Sequence, residues 1–485
     1  MSKYKDLDQI FIDGKWSGGS SNSDMENLNP YTKKSIFKIK GANKDDVDKA
    51  YKAAAKAQKE WAETTPSIKR NIFDKAVSIM NDRKDEIKDW IIKESGGTNV
   101  KAETEWMIAM ESLRVSSSYP YEVNGKIFPS MVPGKESRMY RKPLGVVTVI
   151  SPWNFALNLT MRSVAPALAT GNAVVLKPAG FTPVTGATLV AKIFEEAGLP
   201  KGLLNVVLGK GSEIGDYLVE HPTTKLVSFT GSTPVGRGIA EKAGSQFKKL
   251  SLELGGNNVH IVLDDADVDN AVDAAIFGKF MHQGQICMGI NRILIADKIY
   301  DTFTDKFLEK AKALKVGDPS DENTSVGPII DESQVEKISD MIDQAVKDGA
   351  KMLTDKKIEG NLIHPVVFSE VKNEMDIAQN EIFGPVALLI KFKDDEEAIK
   401  MANDTELGLS GAVHSGNTER ALYVAKHIET GMVHINDQPV NDDANAVFGG
   451  EKNSGVGRFN GEFVKEEFTT TQWITVQHEK RDYAF

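Results

Sequence analysis

After Pro143 the chain settles into short aliphatic runs alternating with longer helical stretches, a pattern few folds accommodate. "GVVTVI" from 145, "AVVLKP" from 173, "LLNVVLG" from 203 and "KLVSFTG" from 225 are nearly continuous in Val, Ile and Leu. Strands apolar on both faces have to be covered on both, and helical connections between them make them parallel. Such a sheet takes ligands outside the carboxyl ends of its strands. "SPWNF", "KPAG" and "FTGST" then fall on one sheet edge.

Before this sheet, residues 48 to about 115 repeat apolar positions every three or four residues and read as helices packed on something else. After "LELGG" a second αβ block begins, with "NVHIVLDD", the amphipathic "DVDNAVDAAIFGKFMHQ", "NRILIAD" and the helix "YDTFTDKFLEKAKAL". "PVALLIKF" and "GMVHIND" continue it, and "FGGEKNSGVGRFNG" at 448 to 461 is a loop by composition. Two strand-like segments stand apart, at 126 to 142 and in "TTTQWITVQ" near the C-terminus. Exposed edge strands invite pairing with another chain, so a homodimer or homotetramer is expected. The expected division is a cofactor domain from 1–125 and 143–253, a catalytic domain from 254–450, and an oligomerisation arm from 126–142 and 466–485.

A chain of 485 residues exceeds one hydrophobic core and is long enough for about two to four domains. Its net charge of -10 argues against nucleic acid as a partner, because phosphate binding needs a basic face. No run of about 18 apolar residues occurs, and "MSKYKDLDQIFIDGKW" lacks a cleavable apolar core, so a cytoplasmic protein without membrane contact is expected. The eight histidines are scattered and no CxxC exists, so no metal site is expected.

Cys287 is the only cysteine and cannot form an intramolecular disulfide. Structural cysteines usually sit among large apolar residues, whereas "HQGQIC" is polar and contains glycine. The segment alone leaves a nucleophilic thiolate and a buried filler equally open. In "VSFTGSTPVGRGIA" a strand meets a Gly-rich turn and a helix, where Ser232 and free N–H groups would face an anion. Gly231 and Gly236 lie five apart without a GxGxxG pattern, so a plain tight turn fits as well. Lys177 ends another strand, placed for ribose or phosphate contact, though most lysines are merely solvated.

Taken together, "PWNF" at 152, "LKP" at 176, "FTGST" at 229, "LELGG" at 252, "GQIC" at 284, "EIFGPV" at 381 and "FGGEKNSGVGR" at 448 resemble the ordered motifs of the NAD(P)-dependent aldehyde dehydrogenase superfamily. Within it the chain is most similar to bacterial benzaldehyde and vanillin dehydrogenases. The resemblance implies an α/β fold with a Rossmann-like cofactor sheet, an αβ catalytic domain and a small β arm. It implies oxidation of an aldehyde to its acid through a thiohemiacetal and a thioester on Cys287. Asn154 would donate to the oxyanion, and Glu253 would activate the hydrolytic water. Relatives that transfer the acyl group to coenzyme A lack a glutamate there, so water is the expected acceptor.

NAD or NADP would be held by Pro152, Trp153, Lys177, Gly209, Gly231, Ser232 and Gly236, with Glu381 on the nicotinamide ribose and Phe383 beside the ring. Gly180 stands where NAD-preferring relatives often carry a glutamate, which leaves NADP open. If the segment after Asn154 is helical, Phe155, Asn158, Leu159 and Arg162 share a face, and the resemblance makes that face the substrate channel. Ile286 and Met288 would be further walls. Phe155 and Leu159 suit an aromatic or medium-chain aliphatic aldehyde. Arg162 has two readings: a contact for the carboxylate of a semialdehyde, or an ion pair with a protein carboxylate. A nucleotide-binding protein that has lost its chemistry is the rival of another class, and survival of Asn154, Glu253 and Cys287 together argues against it.

Overall fold

In the computed structural model, which describes residues 4–485, the aliphatic runs form the centre of an eight-stranded sheet. Its strands Leu204–Val206, Ala173–Lys177, Val146–Ile150, Thr224–Thr230 and Lys249–Glu253 lie side by side in that order, all parallel. Every residue of Ala173–Lys177 is buried, and successive side chains point to opposite faces, so both faces are covered. Lys44–Glu63, Ala156–Ala169 and Thr233–Gly244 are among the helices packed on the sheet.

Register aligns the strand ends. Ile150 pairs with both Lys177 and Phe229, and Thr230 pairs with Glu253. The segments carrying Asn154, Pro178, Gly231 and Leu254 therefore leave the sheet along one edge.

Antiparallel strands close the sheet on both sides: Ile10–Ile12 pairs through Phe11 with Val206, and Gly455–Val456 pairs with Leu252 and Glu253. The stretch 448–461 is thus partly strand and not a simple loop, since Glu451–Lys452 also pairs with Leu407–Gly408. Composition misleads here because the glycines serve close approach: a Cβ on Gly455 would strike the Leu252 carbonyl.

The second sheet runs Lys351–Met352, Val366–Ser369, Val386–Phe392, Ile290–Ala296, Asn258–Val262, Gly411–His414 and His434–Ile435, parallel apart from the first pair. Residues 254–257 connect the sheets directly, and Cys287 lies just before Ile290–Ala296. This short crossing brings the second sheet's leading edge to the first sheet's carboxyl edge.

The helical N-terminal block consists of Lys44–Glu63, Pro66–Asp82, Lys84–Ser95 and Asn99–Ser116. It also reaches the helix Ala156–Ala169: buried Glu105 accepts N–H bonds from Leu157 (2.8 Å) and Asn158 (3.4 Å), and buried Lys101 forms an ion pair with it. An anion there matches the helix N-terminal dipole.

Apart from both sheets, Thr469–Gln477 pairs antiparallel with Lys135–Pro143, and Lys126–Phe128 adds a third strand. Ile127, Phe128, Trp473 and Ile474 on these strands are exposed.

Candidate active site

The segment that presents Cys287 is strained and tightly held. His282 (φ 48°) and Gln283 (φ 59°) are consecutive non-glycine residues in the left-handed region, followed by Gly284 at φ 74°. Such backbone persists where neighbours over-determine it. Gln283 Nε2 donates to the carbonyls of Gly96 (3.1 Å) and Pro328 (2.8 Å), and Gln285 Oε1 accepts from Ile330 N–H (3.0 Å). Asn258 Nδ2 donates to the carbonyls of Cys287 (2.7 Å) and Gly289 (2.9 Å). Gly256 is required beneath it, because a Cβ would meet the Cys287 carbonyl. Cys287 is free and partly exposed between buried Ile286 and Met288.

Asn154 is buried in the turn after Val146–Ile150, and its Nδ2 donates to the Gln285 carbonyl at 3.0 Å, two residues before the thiol. An amide nitrogen carries two hydrogens, so one remains for another acceptor. Glu253 is 2% exposed, and neither carboxylate oxygen has a hydrogen-bond partner. Burial pushes its carboxyl up to about 8, against the opposing pull of Arg162 and Arg458. Burial likewise pushes the Cys287 thiol up to about 12; Arg162 opposes the rise, and Glu381 and Glu253 add to it. Asn154, Glu253 and Cys287 thus converge where the two sheets meet.

Trp153 gathers the cofactor-side motifs: its ring lies against Phe181 (6.3 Å), His282 (6.2 Å) and Phe383 (5.6 Å). Pro152, just before it, is partly buried. Phe383 adopts φ 54° to present its ring. Lys177 is buried with its ammonium on the Pro178 carbonyl (3.0 Å), and desolvation lowers it to about 8. Ser232 is exposed at the start of Thr233–Gly244, and its side chain caps nothing, which leaves that helix N-terminus open. Glu381 accepts from Gly256 N–H (3.2 Å), and burial raises its carboxyl to about 7. An open helix N-terminus, a desolvated ammonium, a carboxylate with one N–H partner and two facing aromatic rings suit the phosphates, ribose and nicotinamide of a dinucleotide.

Three glycines expected at the cofactor also serve packing. A side chain on Gly209 would strike Ile214, on Gly231 the ring of Phe229, and on Gly236 Leu254. Each lets neighbouring groups approach closely.

Ala156–Ala169 is helical as the spacing predicts, with Phe155 capping it. Phe155 and Leu159 are buried, and the Phe155 ring lies 5.7 Å from that of His282. Asn158 Nδ2 donates to Asp442 Oδ2 (2.9 Å), and Arg162 Nη1 lies 3.7 Å from the same oxygen. Of the two readings of Arg162, the structure displays the ion pair with a protein carboxylate. Asp442, Phe448, Phe459, Asn258 and His282 were not assigned from sequence. Asn258 closes the "LELGGNN" run and His282 opens "HQGQIC", so adjacency to the motif residues Glu253 and Cys287 is the signal that points to both.

A sheet edge suited to a dinucleotide thus meets a tightly held thiol, an amide donor and a carboxyl without hydrogen-bond partners. The family model described as "Aldehyde dehydrogenase family" matches residues 16–474. The chain is 50% identical over 485 residues to a benzaldehyde dehydrogenase of Bacillus subtilis (strain 168), covering 100% of each. It is also 50% identical over 474 residues to a vanillin dehydrogenase of Corynebacterium glutamicum, covering 97% of this chain and 98% of that one. The crystal structure of an NAD-dependent benzaldehyde dehydrogenase from Corynebacterium glutamicum superimposes with a TM-score of 0.91 at 47% identity, covering 98% of this chain and 100% of that chain. The chain belongs to the aldehyde dehydrogenase family and is an NAD(P)-dependent enzyme that oxidises aldehydes to acids.

Proposed function

We propose that the substrate is an aromatic aldehyde, with Cys287 as nucleophile, Asn154 as oxyanion donor and Glu253 as general base. The observation that carries the substrate class is full-length identity of 50% to a benzaldehyde dehydrogenase, and buried Phe155, Phe448 and Phe459 around the pocket helix agree with it. The Cys287 thiolate bonds to the carbonyl carbon, and the oxygen takes up the negative charge. Asn154, held on the Gln285 carbonyl by one N–H, offers the other to that oxyanion. Lys177, the helix start at Ser232 and Glu381 would hold NAD(P)+, which when bound would supply the acceptor for the hydride that the carbon gives up as the adduct becomes a thioester. Glu253 then takes a proton from water as the water oxygen bonds to the acyl carbon. The carbon–sulfur bond breaks, the acid leaves, and Cys287 returns as thiolate.

Lys177, the helix start at Ser232, and Glu381 are the residues we assign to the cofactor. Gly180 carries no carboxylate to repel a ribose 2′-phosphate, and a Cβ there would meet nothing within 4 Å, so both NAD+ and NADP+ should serve. An acidic aldehyde reaching Arg162 would also meet Asp442, which disfavours semialdehydes. Turnover of benzaldehyde, vanillin, hexanal and succinic semialdehyde with each cofactor, followed by reduced-nicotinamide absorbance, tests this. The aromatic aldehydes should have the highest kcat/KM, with the semialdehyde at least about tenfold lower. A preference for the semialdehyde that is lost in Arg162→Ala would overturn the aromatic reading.

We assign the cofactor, catalytic and arm segments to the ranges given above and infer that the arm joins two or four copies. Thr469–Gln477 is an edge strand, and Trp473 and Ile127 are 71% and 72% exposed. In sedimentation velocity, Trp473→Glu should move the protein from oligomer toward monomer; an unchanged oligomer would place the interface elsewhere. Among the described residues no helix is long and apolar enough to cross a membrane, and the unpaired thiol suits a reducing cytoplasm.

A further inference from the structure

Glu381 lies outside any helix or strand, in the loop between Asp376–Gln379 and Val386–Phe392. Backbone groups in such a loop have to find their hydrogen-bond partners elsewhere, and here one side chain supplies them. Asn291, 3% exposed on the strand Ile290–Ala296, donates from Nδ2 to the Asn380 carbonyl (3.0 Å), and its Oδ1 accepts from the Ile382 N–H (3.2 Å). The two bonds bracket Glu381, one on each side. Nδ2 also donates to Asn257 Oδ1 (2.8 Å), so both hydrogens and the oxygen of the amide are in use. Asn257 is anchored in turn: its Nδ2 donates to the carbonyls of Ala378 (2.9 Å) and Gln379 (3.2 Å), and its own carbonyl accepts from Nη2 of buried Arg292 (3.1 Å). The residues just before Asn257 seat the Glu381 carboxylate. Gly256 N–H donates to its Oε1 (3.2 Å), and a Cβ on Gly255 would strike its Oε2. The backbone of Glu381 is thus fixed by Asn291 and its carboxylate by the crossing between the sheets.

We propose that Asn291 is a positioning residue for cofactor binding: by holding the backbone on both sides of Glu381, it sets that carboxylate to meet the hydroxyls of the nicotinamide-side ribose. The inference rests on the assignment of Glu381 to the cofactor made above. A loop without this bracket would have to be ordered when the dinucleotide binds, and that ordering would be subtracted from affinity. The bracket orders it beforehand. The nicotinamide-side ribose is common to NAD+ and NADP+, so both should depend on Asn291. ADP lacks that ribose and should not.

Isothermal titration calorimetry on the full-length protein reads this without turnover. Asn291→Ala should bind NAD+ and NADP+ about tenfold more weakly, with ADP within about twofold of the parent. Glu381→Ala should itself weaken NAD+ by about tenfold or more, and adding Asn291→Ala to it should cost less than about twofold further, because a residue that acts through Glu381 then has nothing left to position. Parent-like NAD+ affinity of folded Asn291→Ala, an equal loss for ADP, or full additivity with Glu381→Ala would overturn the proposal. Should Asn291→Ala not fold, Asn291→Ser, with a shorter side chain and a single O–H donor, takes its place and should weaken NAD+ at least about threefold while leaving ADP unchanged. An Asn291→Ser variant that binds NAD+ like the parent would also sink it. Failure of the underlying assignment reads differently, as parental NAD+ affinity in Glu381→Ala.

Discussion

Cys287→Ala should lose aldehyde oxidation on the order of 10^6-fold, about 8 kcal/mol of transition-state stabilisation, because no covalent route remains. No second thiol can substitute, since Cys287 is the chain's only cysteine. The loss should be confined to chemistry. The segment is fixed through the Cys287 carbonyl by Asn258 and through Gln283 and Gln285, and none of these bonds uses the thiol. Removing one sulfur from a partly exposed position should cost little stability, so the melting temperature and NAD+ binding should stay near parental values. Stopped reactions of the parent with benzaldehyde should show an acyl mass on Cys287, absent from the variant. Turnover surviving in Cys287→Ala at more than about a hundredth of the parental rate would remove the thiol from the mechanism.

The parts of this site that rest on local pattern were legible in the sequence. Aliphatic runs such as "AVVLK" determine a strand buried on both faces, so the sheet and its carboxyl edge follow, and with them the placement of Asn154, Lys177 and Glu253. The face shared by Asn158, Leu159 and Arg162 also follows from helical spacing alone. What Arg162 touches does not. Asp442 bonds to Asn158 from 284 positions away, and nothing in either segment announces the other. Gly236 shows a related difficulty: a glycine after a Gly-rich turn reads as a phosphate contact, and nothing in the sequence announces that its missing Cβ also makes room for Leu254. The left-handed turn at His282 and Gln283 was hidden because neither residue type demands that conformation. It is imposed by carbonyls at Gly96 and Pro328, from other parts of the chain.

Glu253→Gln should separate the two halves of the reaction. The amide keeps the shape of the side chain but cannot accept a proton from water, so hydride transfer should survive and hydrolysis should not. Rapid mixing with aldehyde and NAD+ should then give a burst of about one reduced cofactor per site, followed by turnover slowed about 10^2- to 10^4-fold. The pH profile supplies a second readout. With its carboxyl raised from the ordinary 4.5 to about 8, Glu253 is mostly neutral near pH 7 and becomes a base only as pH rises. The parental hydrolytic rate should therefore climb through about pH 8 and level off above it, and this limb should vanish in Glu253→Gln. Stability should move the other way. A carboxyl whose pKa is raised by folding favours the native state least once it is ionised in both states, so the parent should lose stability as pH climbs from about 4.5 to about 8. Glu253→Gln, neutral throughout, should be relieved of that loss and melt higher than the parent at pH 9. A variant less active but also less stable at pH 9 would mean that Glu253 holds the pocket together rather than working in it as a base; a variant that is slower and more stable identifies a carboxyl whose burial costs stability and whose raised pKa serves the hydrolytic step.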